Sequence, residues 1–304
     1  MGYLHINNLY KDQTILLFKE CYALEKVHGT SAHISLKETG ITAIQNGVTE
    51  HHDFVDVTFF SGGEKHARFV SLFDKAKLLE AFKAQGFPKG EIVTVYGEAY
   101  GGSQQGMSAT YGKDLKFVVF DVKVGNVWLS VPQAEDVAKK LGLEFVYYTR
   151  IPTTVEALDA ARDADSQQAI RNGMGAGKKM EGVVLRPIIE VTLNNGNRVI
   201  TKHKRDEFRE TASPRVVDDP EKLKVLADAE AIANEWVTPM RLQHVLDKIK
   251  HDNDMKNVPI VIAAMVEDVY REGDKEIIPS DAVKKAIGKR TVTLFKDLLK
   301  AQIK

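Results

Sequence analysis

What the chain lacks constrains it before anything it contains. Cys21 is the sole cysteine in 304 residues, which excludes an internal disulfide and suits a reducing compartment, so a cytoplasmic location is expected. No run is apolar for long enough to cross a membrane. The opening Met1-Gly2-Tyr3-Leu4-His5-Ile6 has neither a secretory apolar core nor the Ser or Thr of a myristoylation signal. Neither sign of charge is in excess: Lys plus Arg and Asp plus Glu each number 42, so any surface for a polyanion must be a local patch. Internal repeats and low-complexity tracts are also missing. With 43% hydrophobic and 28% charged residues, the chain is large enough for one large domain and a smaller one.

Over the first two thirds, short β-branched or aromatic runs bounded by Gly, Asn or Asp predict strands at 33–36, 54–60, 92–96, 117–122, 182–185 and 198–202. Apolar positions recurring every three or four residues predict helices at 74–82, 134–141 and 155–171. This is an α+β pattern of mixed or antiparallel strands without regular βαβ repetition. The glycine-rich stretches 101–112 and 173–177 read as mobile loops. After about Lys222 strand signals stop. Thr238-Pro239 caps a helix with a Leu242, Val245, Leu246, Ile249 stripe, 259–270 is a more buried helix, and Pro279-Ser280-Asp281 opens another whose stripe runs through Val292, Phe295, Leu299 and Ile303. The division expected is 1–222 for the large domain and 223–304 for a small all-helical one.

Lys26 sits in Leu24-Glu25-Lys26-Val27-His28-Gly29-Thr30, where 22–25 reads as a strand and Gly29 permits a tight turn. Lys-x-x-Gly alone carries little, since it recurs at Lys37, Lys83, Lys179 and Lys285. Its weight comes from four downstream segments in order: Val95-Tyr96-Gly97-Glu98, Phe117-Val118-Val119-Phe120-Asp121, Met180-Glu181-Gly182-Val183-Val184 and Thr201-Lys202-His203-Lys204. On a strand Lys202 and Lys204 share one face while His203 points away. Glu181 brings a carboxylate into an apolar strand, which is costly without a partner such as a cation, Lys179 or Arg186. Phe120 is equally well a core side chain or a stacking platform. Asn172 to Lys179 is not a phosphate loop, because Asn172 replaces the first glycine and Lys179 the Ser/Thr. His28, His33, His51, His52, Asp53 and His66 do not have the spacing of a closed zinc site.

Together these segments, from Leu24 to Arg205, resemble the ordered motifs of the covalent nucleotidyltransferases, the superfamily of ATP-dependent ligases and mRNA capping enzymes. The usual first motif is Lys-x-Asp-Gly. His28 in place of Asp, and helices where DNA ligases and capping enzymes usually carry a strand-rich OB fold, make the chain most similar to the RNA ligase 2 family. The resemblance implies a ligase-type nucleotidyltransferase domain of antiparallel sheets flanked by helices, with Lys26 as the nucleophile that takes AMP from ATP. It further implies that Glu25, Gly29, Glu98 and Phe120 join Lys26 in binding the nucleotide, Glu98 at the ribose hydroxyls and Phe120 at adenine. Glu181 would hold Mg²⁺, with Mn²⁺ as the substitute and Lys202 and Lys204 flanking the phosphates. An arginine that the family's RNA ligases place between the first and third motifs is matched only by Lys65 or Arg68.

The implied activity joins a 5′-phosphate RNA end to a 3′-hydroxyl end through lysyl-AMP and an adenylylated 5′ end, with a nicked duplex, a single strand, a broken tRNA loop and an RNA-DNA hybrid all open as substrates, and without membrane or obligate protein partner. A DNA ligase or capping-type guanylyltransferase, and a non-catalytic RNA-binding protein of the same fold, are the alternatives. Lys248, Lys250, Arg241, Lys284, Lys285, Lys289 and Arg290 are candidate RNA-phosphate contacts of the helical domain, unless they form only its solvated face.

Overall fold

A computed structural model describes residues 2–45, 48–214, 217, 228–249 and 254–302, without side chains over 38–54 and at 302. The strands in chain order are β1 (Asn7–Asn8), β2 (Glu20–Lys26), β3 (Thr30–Gln45), β4 (Val48–Ser61), β5 (Val93–Tyr100), β6 (Lys116–Val124), β7 (Val127–Trp128), β8 (Tyr148–Pro152), β9 (Gly182–Pro187) and β10 (Thr201–Lys204). The helices are α1 (His66–Val70), α2 (Lys75–Ala84), α3 (Ser108–Tyr111), α4 (Val131–Lys140), α5 (Val155–Arg162), α6 (Gln167–Arg171), α7 (Ala229–Trp236), α8 (Pro239–Lys248), α9 (Val258–Glu272) and α10 (Asp281–Gln302). The α+β class is as expected. One sheet runs β1-β10-β9-β2-β8, parallel only at its β1 edge; the other runs β4-β3-β5-β6-β7 and is antiparallel throughout.

Helix starts follow capping chemistry. Asp74 accepts from the Ala76 and Lys77 amides at 3.1 Å, Ser130 and Gln133 cap α4 reciprocally, and Thr238 accepts from the Arg241 amide at 3.2 Å ahead of Pro239. Among the described residues four apolar clusters fill the interior: Val95, Val118, Phe82 and Ala134 between the second sheet and its helices, a smaller one of Ala32, Phe69, Ala99 and Leu115, Cys21, Leu158 and Leu185 against the first sheet, and Trp236, Leu242, Met265 and Phe295 inside the C-terminal helical region. Among the described residues no helix is long and apolar enough to cross a membrane.

Three expectations change. The helix over 155–171 is two, α5 and α6, because Ser166 turns the chain and its hydroxyl caps α6 by accepting from the Ala169 amide at 3.0 Å. The strand over 198–202 begins only at Thr201, since Arg198 is drawn into a buried ion network. The stretch 101–112 is not an open loop: it contains a short helical turn and α3, with the Tyr111 ring buried edge-on against Tyr100 at 5.3 Å. The expected 222/223 boundary and Lys250 lie outside the described residues, as does Ile303.

Strand order matters most at Gly182. It faces Lys26 on β2 and Lys204 on β10, so the two lysines sit on either side of one residue in adjacent strands. Its φ is +148°, and a Cβ there would lie 2.1 Å from the His203 carbonyl oxygen and 2.8 Å from the Lys204 Cα. Gly182→Ala is therefore expected to cost about 1–3 kcal/mol of stability through forced strand separation. Chemical denaturation measures this, and an unchanged midpoint would show that the two strands can part freely.

Candidate active site

The ends of β2 and β10 and the residue before β9 bring their side chains to one point. The Glu181 amide donates to the Lys26 carbonyl at 3.2 Å and the Arg205 amide to the Glu181 carbonyl at 3.0 Å, which fixes Glu181 between the two lysine-bearing strands. Its carboxylate, 1% exposed, meets the Lys26 Nζ at 2.7 Å, the His28 Nδ1 at 2.9 Å and the Lys204 Nζ at 2.9 Å. Desolvation alone would raise this carboxyl; Lys204, Lys26 and His28 outweigh it and hold it well below the usual range. An ionised carboxylate only accepts, so His28 carries its proton on Nδ1. Neither Lys179 nor Arg186, the partners considered from sequence, pairs with it: Lys179 binds Glu207, and Arg186 binds Asp121 and Glu190.

Lys202 and Lys204 point to the same side of β10, as alternation requires, while His203 faces Asp159 at 2.6 Å on the other. Lys204 also meets Glu210, and against desolvation Glu181 and Glu210 keep its ammonium charged. Lys202 meets Glu272 of α9 at 3.3 Å. Burial lowers the Lys202 ammonium's pKa, with Glu272 opposing.

Lys26, Lys202, Lys204 and Glu272 line a cavity of about 400 Å³ with Glu25, Gly29, Glu98, Phe120 and Val184. All the nucleotide-binding residues anticipated from sequence lie on its wall except Glu181, which sits behind Lys26 and Lys204. Glu25 contributes without its carboxylate, which accepts from the Ser166 hydroxyl at 2.5 Å and the Gln168 amide at 3.0 Å, turned away into α6. Gly29 is set by close approach, since a Cβ would fall 2.3 Å from the Ala99 carbonyl oxygen. Phe120 reaches the cavity through a β-bulge: Tyr96 opposes Asp121 while Gly97 opposes Val119, leaving Phe120 as the extra residue. The bulge also turns Asp121 inward, where Arg186 (3.0 Å), Arg198 (2.7 Å) and the Tyr3 hydroxyl (2.6 Å) compensate it.

Sequence reasoning missed four groups here. Residues Gly2 to Ile6 form a wall of the cavity, with the Tyr3 ring edge-on to Phe120 at 4.9 Å. His244, Arg271 and Glu272 enter from the helical domain, beside Lys248, which sequence did nominate. Asp121 inside Phe117–Val122 was the one available signal, because a carboxylate in an apolar strand demands partners. Of the other cations nominated, Arg241 is buried on Asp268, and Arg290 binds the Val237 carbonyl and Asn234; Lys284, Lys285 and Lys289 are not on the cavity wall. Lys65 and Arg68 also stay off it, Arg68 pairing with Glu64 at 3.2 Å.

Glu98 accepts from the Gly29 amide at 3.1 Å, and loss of water pushes its carboxyl up to about 8, Lys26 opposing and Glu181 adding to the rise. Between its ordinary 4.5 and that value the folded chain holds a proton that the unfolded chain has lost, so stability falls as pH rises through this window. Glu98→Gln removes the effect. The melting temperature of the variant minus that of the parent is expected to grow from about pH 5 to about pH 8.5; a flat difference would contradict the burial assigned to Glu98.

The RNA ligase family model matches residues 19–204, a span that begins beside β2 and ends on Lys204. No curated protein matches. Among solved structures, a Naegleria gruberi RNA ligase with pyrophosphate is 15% identical over 68% of this chain and 57% of its own, with a TM-score of 0.47. A mutant of that ligase with ATP and Mn gives the same identity and coverage and a TM-score of 0.48. The chain thus spans little more than half the length of these structures. Since the matched span holds β2, β5, β6, β9 and β10, and with them every strand that carries the Glu181 cluster, the chain belongs to the RNA ligase family.

Proposed function

We propose that this protein is an ATP-dependent RNA ligase that seals 5′-phosphate and 3′-hydroxyl ends through a lysyl-AMP intermediate. The observation that carries the reading is the meeting of Lys26, His28 and Lys204 on the Glu181 carboxylate, with the two lysines on the wall of a nucleotide-sized cavity and Glu181 behind them. In the first step the Lys26 amine attacks the α-phosphorus. A nitrogen–phosphorus bond forms, the bond from α-phosphorus to the bridging oxygen breaks with its electron pair leaving on pyrophosphate, and the nitrogen's surplus proton passes to water. The RNA 5′-phosphate then takes AMP from Lys26, and a 3′-hydroxyl displaces AMP in turn. Each step moves charge at phosphorus, so positioning by fixed cations supplies most of the catalysis.

Phe120 offers a face to the base and Val184 an apolar partner, while Glu98 accepts from the ribose hydroxyls. Lys202 and Lys204 flank the phosphates. The residues fit a divalent cation bound jointly with substrate: the buried Glu181 Oε1, 2.9 Å from the Lys204 Nζ, makes no well-directed hydrogen bond there. Among the described residues no cluster of three His, Cys, Asp or Glu side chains forms a closed site. Mg²⁺ is therefore expected to be held by Glu181 together with phosphate oxygens, where it would neutralise charge developing on them. One protein carboxylate suffices for this, because the substrate brings the remaining ligands.

Incubation with α-labelled ATP and Mg²⁺ is expected to label the parent chain covalently, with the label lost in Lys26→Ala and reduced at least about a hundredfold in Glu181→Ala. Labelling that survives Lys26→Ala ends the proposal. Labelling by GTP in preference to ATP, or sealing of DNA but not RNA nicks, would replace it with a capping or DNA ligase activity.

A further inference from the structure

The helical domain sends two cations into the cavity, Lys248 at the end of α8 and Arg271 near the end of α9. Both are held by one buried residue. Asp268 Oδ1 lies 3.5 Å from the Lys248 Nζ and also accepts from Arg271, while Oδ2 is taken by Arg241 at 2.6 Å. Arg241 has a second carboxylate, Glu210 at 3.4 Å, but that one is shared with Lys204 and His244. Lys248 and Arg271 therefore share a single carboxylate oxygen, and their side chains remain 46% and 41% exposed. The only other acid near Arg271, among the described residues, is Glu272 at 3.9 Å, which is closer to Lys202 and His5.

Of the remaining cavity cations, Lys204, Lys202 and Arg186 are matched more fully, while Lys26, the nucleophile, divides Glu181 with Lys204 and His28. Lys26 and Lys204 share Glu181, with Glu210 also on Lys204; Lys202 has Glu272; Arg186 has Asp121 and Glu190. A triphosphate whose α-phosphorus is at Lys26 must lay its two outer phosphates along the same cavity, where unneutralised positive charge is the resource it lacks. We propose that Lys248 and Arg271 bind the β- and γ-phosphates of ATP, so that the helical domain takes part in the first chemical step and in holding pyrophosphate. Asp268 is the positioning residue that aims both cations. The inference deepens the ligase reading and rests on it.

Binding, without turnover, tests it. In Lys248→Ala/Arg271→Ala, the affinity for α,β-methylene-ATP is expected to fall about tenfold or more while that for AMP, which lacks the outer phosphates, stays the same. Lys248→Arg/Arg271→Lys, which keeps both charges, is expected to recover most of the loss, and a melting curve coincident with the parent's excludes misfolding as its cause. Labelling by ATP should show a raised KM with kcat much less changed. Equal loss for AMP and the triphosphate analogue, or no loss for either, overturns the assignment. So does unchanged ATP dependence with lost sealing of a pre-adenylylated RNA, which would give these cations to the RNA instead. Failure of the ligase reading looks different: the parent chain would bind neither nucleotide nor form an adduct.

Discussion

A carboxylate stripped of water in the middle of a sheet is the constraint around which the rest is arranged. Glu181 is 1% exposed, and an ion in that position is tolerable only with compensating charge and hydrogen bonds close by. The chain supplies them from two segments far apart in sequence, Lys26 with His28 and, well over a hundred residues on, Lys204. Glu181 removed alone would leave the Lys26 and Lys204 ammonium groups on either side of Gly182 without the carboxylate they share. The architecture obeys this demand. Strands β2, β9 and β10 must be neighbours, Gly182 must have no side chain, and the peptide groups of Lys26, Glu181 and Arg205 must interlock.

The same cluster gives the three lysines different surroundings, and the proposed division between a reacting lysine and holding ones rests on that difference. Lys204 has two carboxylates and stays charged, the state useful against phosphate. Lys202 has one, and desolvation pulls its pKa down. Lys26 is 22% exposed and faces the cavity, with its single carboxylate partner shared among three groups, so an arriving substrate has only to compete for a divided interaction. Position on the strand thus separates environments that composition cannot, since all three are lysines.

Much of this could be read from the chain, and the limits have physical causes. Alternation placed Lys202 and Lys204 on one face and His203 on the other because period two is a property of any strand. The helix cap at Thr238 was readable because its hydrogen bond spans only a few residues. The α5/α6 break was not, because Ser166 is an unremarkable residue until Glu25, 141 positions away, accepts its hydroxyl. The bulge at Phe120 was equally hidden: the choice between core side chain and platform depends on register with β5, which no local pattern contains. Asp121 was visible but its partners were not, since Tyr3, Arg186 and Arg198 reach it across separations of 118, 65 and 77 residues.

The helical domain shows where counting charges misleads. Read as a sequence, its lysines and arginines are a pool from which any might contact phosphate. Folding sorts them by partner: Arg241 is buried in a bridge between Asp268 and Glu210, and Arg290 ties α10 to the end of α7 through the Val237 carbonyl. The domain's carboxylates are sorted too. Glu272 crosses to Lys202, with its pKa held down to about 2 as Lys202, His5 and Arg241 outweigh desolvation, and Glu276 crosses to Lys11 at 3.0 Å. Ion pairs buried between packed elements fix their mutual register more than they stabilise it, because desolvation offsets most of the attraction. The acids of α9 thus fasten the C-terminal helices over β10, and the cations left facing the cavity are those for which that fastening has no further carboxylate to give.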